Sequence, residues 1–251
     1  MKNMMTLAGA AFVLAAALGG TAHAAEDEHP ALKRPFDLPP SADLAYTISA
    51  RQRGLALNGD ATLTWRADAG KYSVSAESRV AVLGKLTENR SSGAVDAYGL
   101  APDEFYDKRF RKEAVTATFD RDARTIGFSD GDKSYPIRGG EQDRVSISWQ
   151  LVAIARAAKD KFKPGSEWKF FVVGPRDADP WTFRVVGREK VQTGIGELDA
   201  VHVLRETPPG SREQTLDMWL APSQEWYPVK LRFTEGEREV IEQTLQKITR
   251  K

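Results

Sequence analysis

Apolar and polar residues alternate along most of the chain with the two-residue period of half-buried strands. Leu44, Tyr46 and Ile48 share one face, Ala61, Leu63 and Trp65 the next, and Tyr72, Val74 and Ala76 a third. Leu86 to Tyr98 reads as a strand interrupted at Gly93, and Val115, Ala117 and Phe119 alternate with Thr116 and Thr118. Later, Trp168 to Val173 is apolar on both faces, as in a strand covered on both sides. Trp181, Phe183 and Val185 follow, then a hairpin from Gly187 to Arg205 turning at Gly194-Ile195-Gly196. Leu216, Met218 and Leu220, and then Val229, Leu231 and Phe233, continue the pattern. Turns are expected at Asn58-Gly59-Asp60, Asp68-Ala69-Gly70, Asp130-Gly131-Asp132, Gly174 to Pro180 and Thr207 to Ser211. The tail from Glu239 to Ile248 fits a helix through Ile241, Leu245 and Ile248; its short reach after Gly236 favours a last hairpin strand.

One stretch breaks the period. From Gly139 to Lys161, Val145, Trp149 and Val152 fall at helical spacing, and Leu151, Ile154 and Ala155 widen the stripe. So broad an apolar arc predicts a helix near 142–160 embraced by other structure. One helix cannot cover both faces of so many strands. The economical fold is therefore mainly β: a strongly curved antiparallel sheet, an incomplete β-barrel, wrapped around one central α-helix. A faint echo, Leu100-Ala-Pro-Asp-Glu-Phe-Tyr106 against Leu220-Ala-Pro-Ser-Gln-Glu-Trp-Tyr227, raises the expectation of two pseudo-repeated halves.

Composition changes the picture at the N-terminus. Lys2, the apolar run Leu7 to Leu18 and Ala22-His23-Ala24 have the layout of an export signal cleaved after Ala24. That run is short for a bilayer span, which takes ~20 residues, and no later stretch is long enough. With no cysteine in the chain, neither a lipid anchor nor disulfides are expected. The expectation is a periplasmic protein with a charged, proline-rich arm over 25–40, extended or disordered, and a single domain over 41–251. Loss of Lys2 leaves 35 of the 36 basic residues against 35 acidic ones, so no global field draws nucleic acid.

Little of the sequence carries chemistry. His202 is the one histidine expected in the folded body, alternates with Val201 and Val203, and reads as a surface strand residue. Zinc needs several Cys or His ligands. Gly127-Phe-Ser129-Asp-Gly131 has the spacing of a hydrolase elbow, but Lys133-Ser-Tyr-Pro136 cannot start the helix that an elbow requires. No cofactor and no catalytic residue are therefore expected.

Three groups remain. Trp65, Trp149 and Trp219 are candidates to line an apolar groove, with core packing as the alternative. Arg109 and Arg111, within Lys108-Arg-Phe-Arg-Lys112, are candidates to meet an anionic headgroup. Gln142, Asp143, Arg144 and Ser146 open the helix and read as a polar latch to the sheet. Asp143 is the expected N-cap, and Arg144 is expected to reach a carboxylate or a strand-end carbonyl.

Gly140-x-Gln142-Asp143-Arg144-x-Ser146, Gly99-Leu-Ala-Pro102 with Phe105 and Arg109, and Trp219-Leu-Ala-Pro222 together resemble the domain of unknown function 3108 family. The likeness covers roughly residues 40–248 and departs at Glu141, where a small residue is expected. It implies an exported, mostly β protein and brings no activity or catalytic residues. The half-barrel is also similar to periplasmic lipoprotein carriers, at the level of fold only. The reading is a non-enzymatic periplasmic protein holding an apolar or amphipathic envelope component in the concavity of its sheet. The alternative is an envelope assembly factor that acts on protein partners through its sheet edges and arm.

Overall fold

The computed structural model describes residues 29–251 apart from 53–54, 81–82, 208–213 and 237–238. The export signal and most of the Thr207–Ser211 turn lie outside the described residues. The first half is a meander of β1 (Ala42–Gln52), β2 (Leu55–Asp68), β3 (Lys71–Val80), β4 (Gly84–Asp96), β5 (Gly99–Arg109), β6 (Val115–Asp120), β7 (Thr125–Phe128) and β8 (Ser134–Pro136). A two-residue β9 (Gln142–Asp143) precedes the helix α1 (Ser146–Ala157). The second meander is β10 (Glu167–Val173), β11 (Ala178–Thr193), β12 (Gly196–Glu206), β13 (Thr215–Leu220), β14 (Pro228–Glu235) and β15 (Glu239–Arg250). The tail is thus a strand: β15 pairs with β1 and joins the two meanders into one 15-stranded sheet with β8 and β9 at its edges. All pairings are antiparallel except the short β9–β10 contact.

The sheet is open and strongly curved around α1. Ile147, Trp149, Leu151, Val152, Ile154 and Ala155 are all fully enclosed, as the wide apolar arc requires. The two ends of the sheet come together through side chains instead of ladder hydrogen bonds. Phe105, Ala117, Phe119 and Ile126 pack against Phe171, Val173 and Ala178, while Phe170 and Val172 turn to the helix. That is why β10 is apolar on both faces.

One turn assignment changes. Asn58-Gly59-Asp60 is not a turn but lies inside β2, because Gln52 already pairs with Leu55. Gly59 serves a close approach instead: a Cβ there would sit 2.1 Å from the Arg79 carbonyl oxygen. Gly93 interrupts β4 as expected, as a register shift against β5 at Ser92/Gly93. The Leu-Ala-Pro echo is not a repeat in space, since Leu100 opens β5 whereas Leu220 ends β13 ahead of a 3-10 turn at Pro222–Gln224.

The arm also differs from a free tail. From His29 to Ser41 it has no helix or strand, yet it is tied across the open side of the cup. Arg34 donates to the Lys169 carbonyl and lies over Phe170. The Asp37 N–H donates to Ala153 O at 2.9 Å. Trp65 Nε1 and the Tyr227 hydroxyl donate to the carbonyls of Pro39 and Pro40 at 3.0 and 2.6 Å. The prolines suit this role, since their carbonyls are free acceptors on a backbone with little entropy left to lose.

Candidate functional site

Gln142, Asp143, Arg144 and Ser146, expected as a latch, lie where β9 passes into α1. Asp143 is fully buried, and its Oδ1 accepts the N–H groups of Val145 and Ser146, both at 2.8 Å. It does so from two residues ahead of the N-cap, which is Val145 and has no side-chain cap of its own. Asp143 is therefore not the N-cap itself, although it satisfies orphan donors of the first turn. Its Oδ2 accepts the Ser91 hydroxyl at 2.5 Å, and Ser91 bonds the Tyr72 hydroxyl at 2.8 Å. Burial pushes the Asp143 carboxyl up to about 6, against the pull of those hydrogen bonds. Ser146 Oγ accepts the Asp143 N–H, and Gln142 Nε2 donates to Leu100 O at 2.7 Å. Gln150 completes the set by bonding both Leu100 N and Tyr98 O. Arg144 extends toward Asp177 (3.7 Å), while its own N–H donates to the Val173 carbonyl. Sequence reasoning missed Tyr72, Ser91 and Gln150. For Tyr72 there was a signal: an inward-facing phenol needs a buried partner.

The three tryptophans are buried members of one apolar cluster and do not line an open groove. Trp65 and Trp149 are fully buried and stacked, with centroids 4.4 Å apart and planes at 9°. Tyr72 and Tyr227 flank the pair. Both are core, and the concavity they were expected to line is filled by α1, by their own rings and by the arm. Trp219 lies on the opposite face of β13 from Met218. There His202 stacks on it at 4.5 Å, Lys230 and Arg232 cover it, and its Nε1 donates to Glu189. His202 is part-buried, with Nε2 2.6 Å from Asp217 Oδ1, and so is a packed member of this cluster and not a bare surface residue. Ser129 sits at a strand end with its Oγ accepting the Thr116 N–H, in no elbow.

Arg109 and Arg111 stand apart from all of these. Arg109 bonds Asp107, and Arg111 lies over Phe110 in the β5–β6 turn. Among the described residues, no three His, Asp or Glu side chains converge to hold a metal ion.

Between the arm and the β2–β3 turn lies a shallow depression of about 510 Å³ that is largely open to solvent. Leu38, Pro39, Pro40, Ala67 and Val95 give it apolar walls; Lys71 and Arg156 bring cations and Asp68 a carboxylate. Arg156 projects from the last turn of α1, where a cation favours the helix dipole. It is paired with Asp37 at 3.1 Å and with Glu225. Its Nε is buried with no hydrogen-bond partner among the described residues. Lys71 is exposed at the end of the Asp68-Ala69-Gly70 turn. No sequence signal joins Lys71 to Arg156, which lie 85 residues apart.

The sequence profile of the family "Protein of unknown function (DUF3108)" matches residues 45–237. No match is found among the curated proteins. Among solved structures, a β-barrel-like protein of the DUF1849 family from Brucella abortus aligns with a TM-score of 0.56. It is 13% identical, and the alignment covers 86% of this chain and 99% of that one. A protein with a YmcC-like fold from Bacteroides fragilis aligns over 88% of this chain and all of its own at 10% identity, with a TM-score of 0.36. The first likeness speaks for the fold alone, and the second is too distant to argue from.

Proposed function

The chain belongs to the DUF3108 family, which brings a fold without an assigned activity, and from the site itself we propose a non-catalytic protein that binds an amphipathic envelope component. The binding place is the cleft between arm and β2–β3 turn, not the filled interior. Its apolar walls take hydrocarbon, and the exposed Lys71 meets an anionic head. The observation that carries this reading is a shallow, mostly apolar depression between arm and β2–β3 turn with the exposed Lys71 at its border. Export to the periplasm belongs to the same proposal. Among the described residues no helix is long and apolar enough to cross a membrane.

Partner binding through the arm has less support, because Trp65, Tyr227, Lys169 and Ala153 already hold the arm against its own body. Native mass spectrometry of the protein purified from its own envelope tests the proposal. A co-purifying anionic amphiphile, depleted in Lys71→Glu, is expected. A bare protein that also takes nothing from envelope lipid extracts would refute it.

A further inference from the structure

Consecutive hairpins of a meander turn at alternate ends of the sheet. The β1–β2, β3–β4 and β5–β6 turns therefore share the end opposite the cleft. Gln52 pairs with Leu55, Val80 with both Gly59 and Gly84, and Arg109 with Thr87. Each turn thus steps down by three or four residues from the last. This is the stagger of tilted strands in a barrel-like sheet, and it brings the turns to one rim.

Each turn carries an exposed apolar side chain: Leu55 (66% exposed), Leu83 (45%) and Phe110 (39%). Cations surround them. Among the described residues, Arg51, Lys108, Arg111 and Lys112 have no carboxylate partner. Arg109 is half-exposed beside Asp107. Glu77 and Glu88 are already occupied by Arg79, Lys85 and Arg90. Asp60 and Glu113 are exposed carboxylates beside these turns, and the β14–β15 turn at the same end adds the exposed Glu235. Apolar tips bordered by unpaired cations, gathered mostly in the Lys108–Lys112 turn, match a lipid surface in which hydrocarbon lies beneath anionic headgroups.

We infer that this rim docks on the surface of an anionic bilayer, with Leu55, Leu83 and Phe110 entering the headgroup layer and Arg51, Lys108, Arg111 and Lys112 meeting phosphates. The Lys108–Lys112 run then has a role that the cleft, at the other end of the sheet, does not give it. The inference is independent of the cleft and stands or falls separately.

Flotation of the full protein with vesicles of phosphatidylethanolamine and phosphatidylglycerol, against vesicles of phosphatidylcholine, tests it. The wild type is expected to float with the anionic vesicles alone and to be released by high salt. Each cation lost at the surface weakens partition about fivefold, so the double reversal Arg111→Glu/Lys112→Glu is expected to abolish flotation. The triple change Leu55→Ser/Leu83→Ser/Phe110→Ser is expected to weaken it, with melting temperature unchanged in both because these side chains are exposed. Lys71→Glu is expected to float like the wild type. The inference is overturned by absence of flotation, by equal flotation on both vesicle types, or by flotation that Lys71→Glu removes and the rim variants do not. Anionic polysaccharide binding without vesicle binding overturns it as well.

Discussion

Replacing Asp143 by asparagine separates the charge of the latch from its shape. Asparagine keeps an oxygen to accept the N–H groups of Val145 and Ser146, and it offers an N–H to Ser91 where the carboxylate accepts from it. The carboxyl, fully buried, is pushed from its ordinary 3.8 up to about 6. Between those values the folded protein holds a proton that the unfolded chain has released. Stability from this group is therefore fully present below pH ~3.8 and is lost as pH rises through ~6. At 1.36 kcal/mol per unit, a shift of about two units makes the loss ~3 kcal/mol. Urea unfolding of wild type and Asp143→Asn at steps between pH 4 and pH 7.5 measures it. The variant is expected to gain on the wild type by ~2–3 kcal/mol across that range, chiefly between pH 4 and 6. Parallel pH profiles would show that the carboxyl is not buried neutral, and the reasoning would fail.

Glu141 is expected to act with the opposite sign. Burial raises its pKa, but His29 at 3.0 Å and the N–H groups of Gly139 and Arg138 outweigh that and hold it below its ordinary value. Its contribution is present above the ordinary glutamate range and lost in acid, so Glu141→Gln is expected to flatten the acid limb of the stability curve in the same urea series. Gly99 has φ of +108°, and a Cβ there would stand 2.4 Å from the Gln150 amide. Gly99→Ala is expected to cost ~2–4 kcal/mol from backbone strain and displaced hydrogen bonds, read by thermal or urea denaturation. Trp65→Phe retains a ring to stack on Trp149 but loses the bond to Pro39. It is expected to cost ~1–2 kcal/mol and to speed tryptic cleavage after Lys33; unchanged proteolysis would mean that Trp65 does not hold the arm.

The strands were legible wherever one face is buried and the other solvated, because burial imposes a period of two that needs no knowledge of neighbours. The helix was legible for the converse reason: enclosure on all sides leaves a wide apolar arc. Gly59 was misread because a glycine for a tight turn and a glycine for backbone approach look alike in sequence. The latch residues Gln142, Asp143, Arg144 and Ser146 stood out as polar groups at the mouth of an apolar helix. Ser91, the partner of Asp143, and Gln150, which bonds Leu100 and Tyr98, did not, since pairing across about fifty residues is fixed only by register. Trp65 and Trp149 drew attention by size, but whether a large ring lines a hollow or fills it depends on what lies opposite. Here the arm decides it, and a proline-rich segment gives no sign that its carbonyls will be bonded.

The most direct test is calorimetric titration with lysophosphatidylglycerol below its micelle concentration, on wild type, Lys71→Glu and a Lys108→Glu control at the far end of the sheet. Saturable one-to-one binding by wild type and control, with Lys71→Glu weakened at least about fivefold, is the predicted result. Absence of saturable binding, or equal binding by all three proteins, would contradict a ligand site in the cleft.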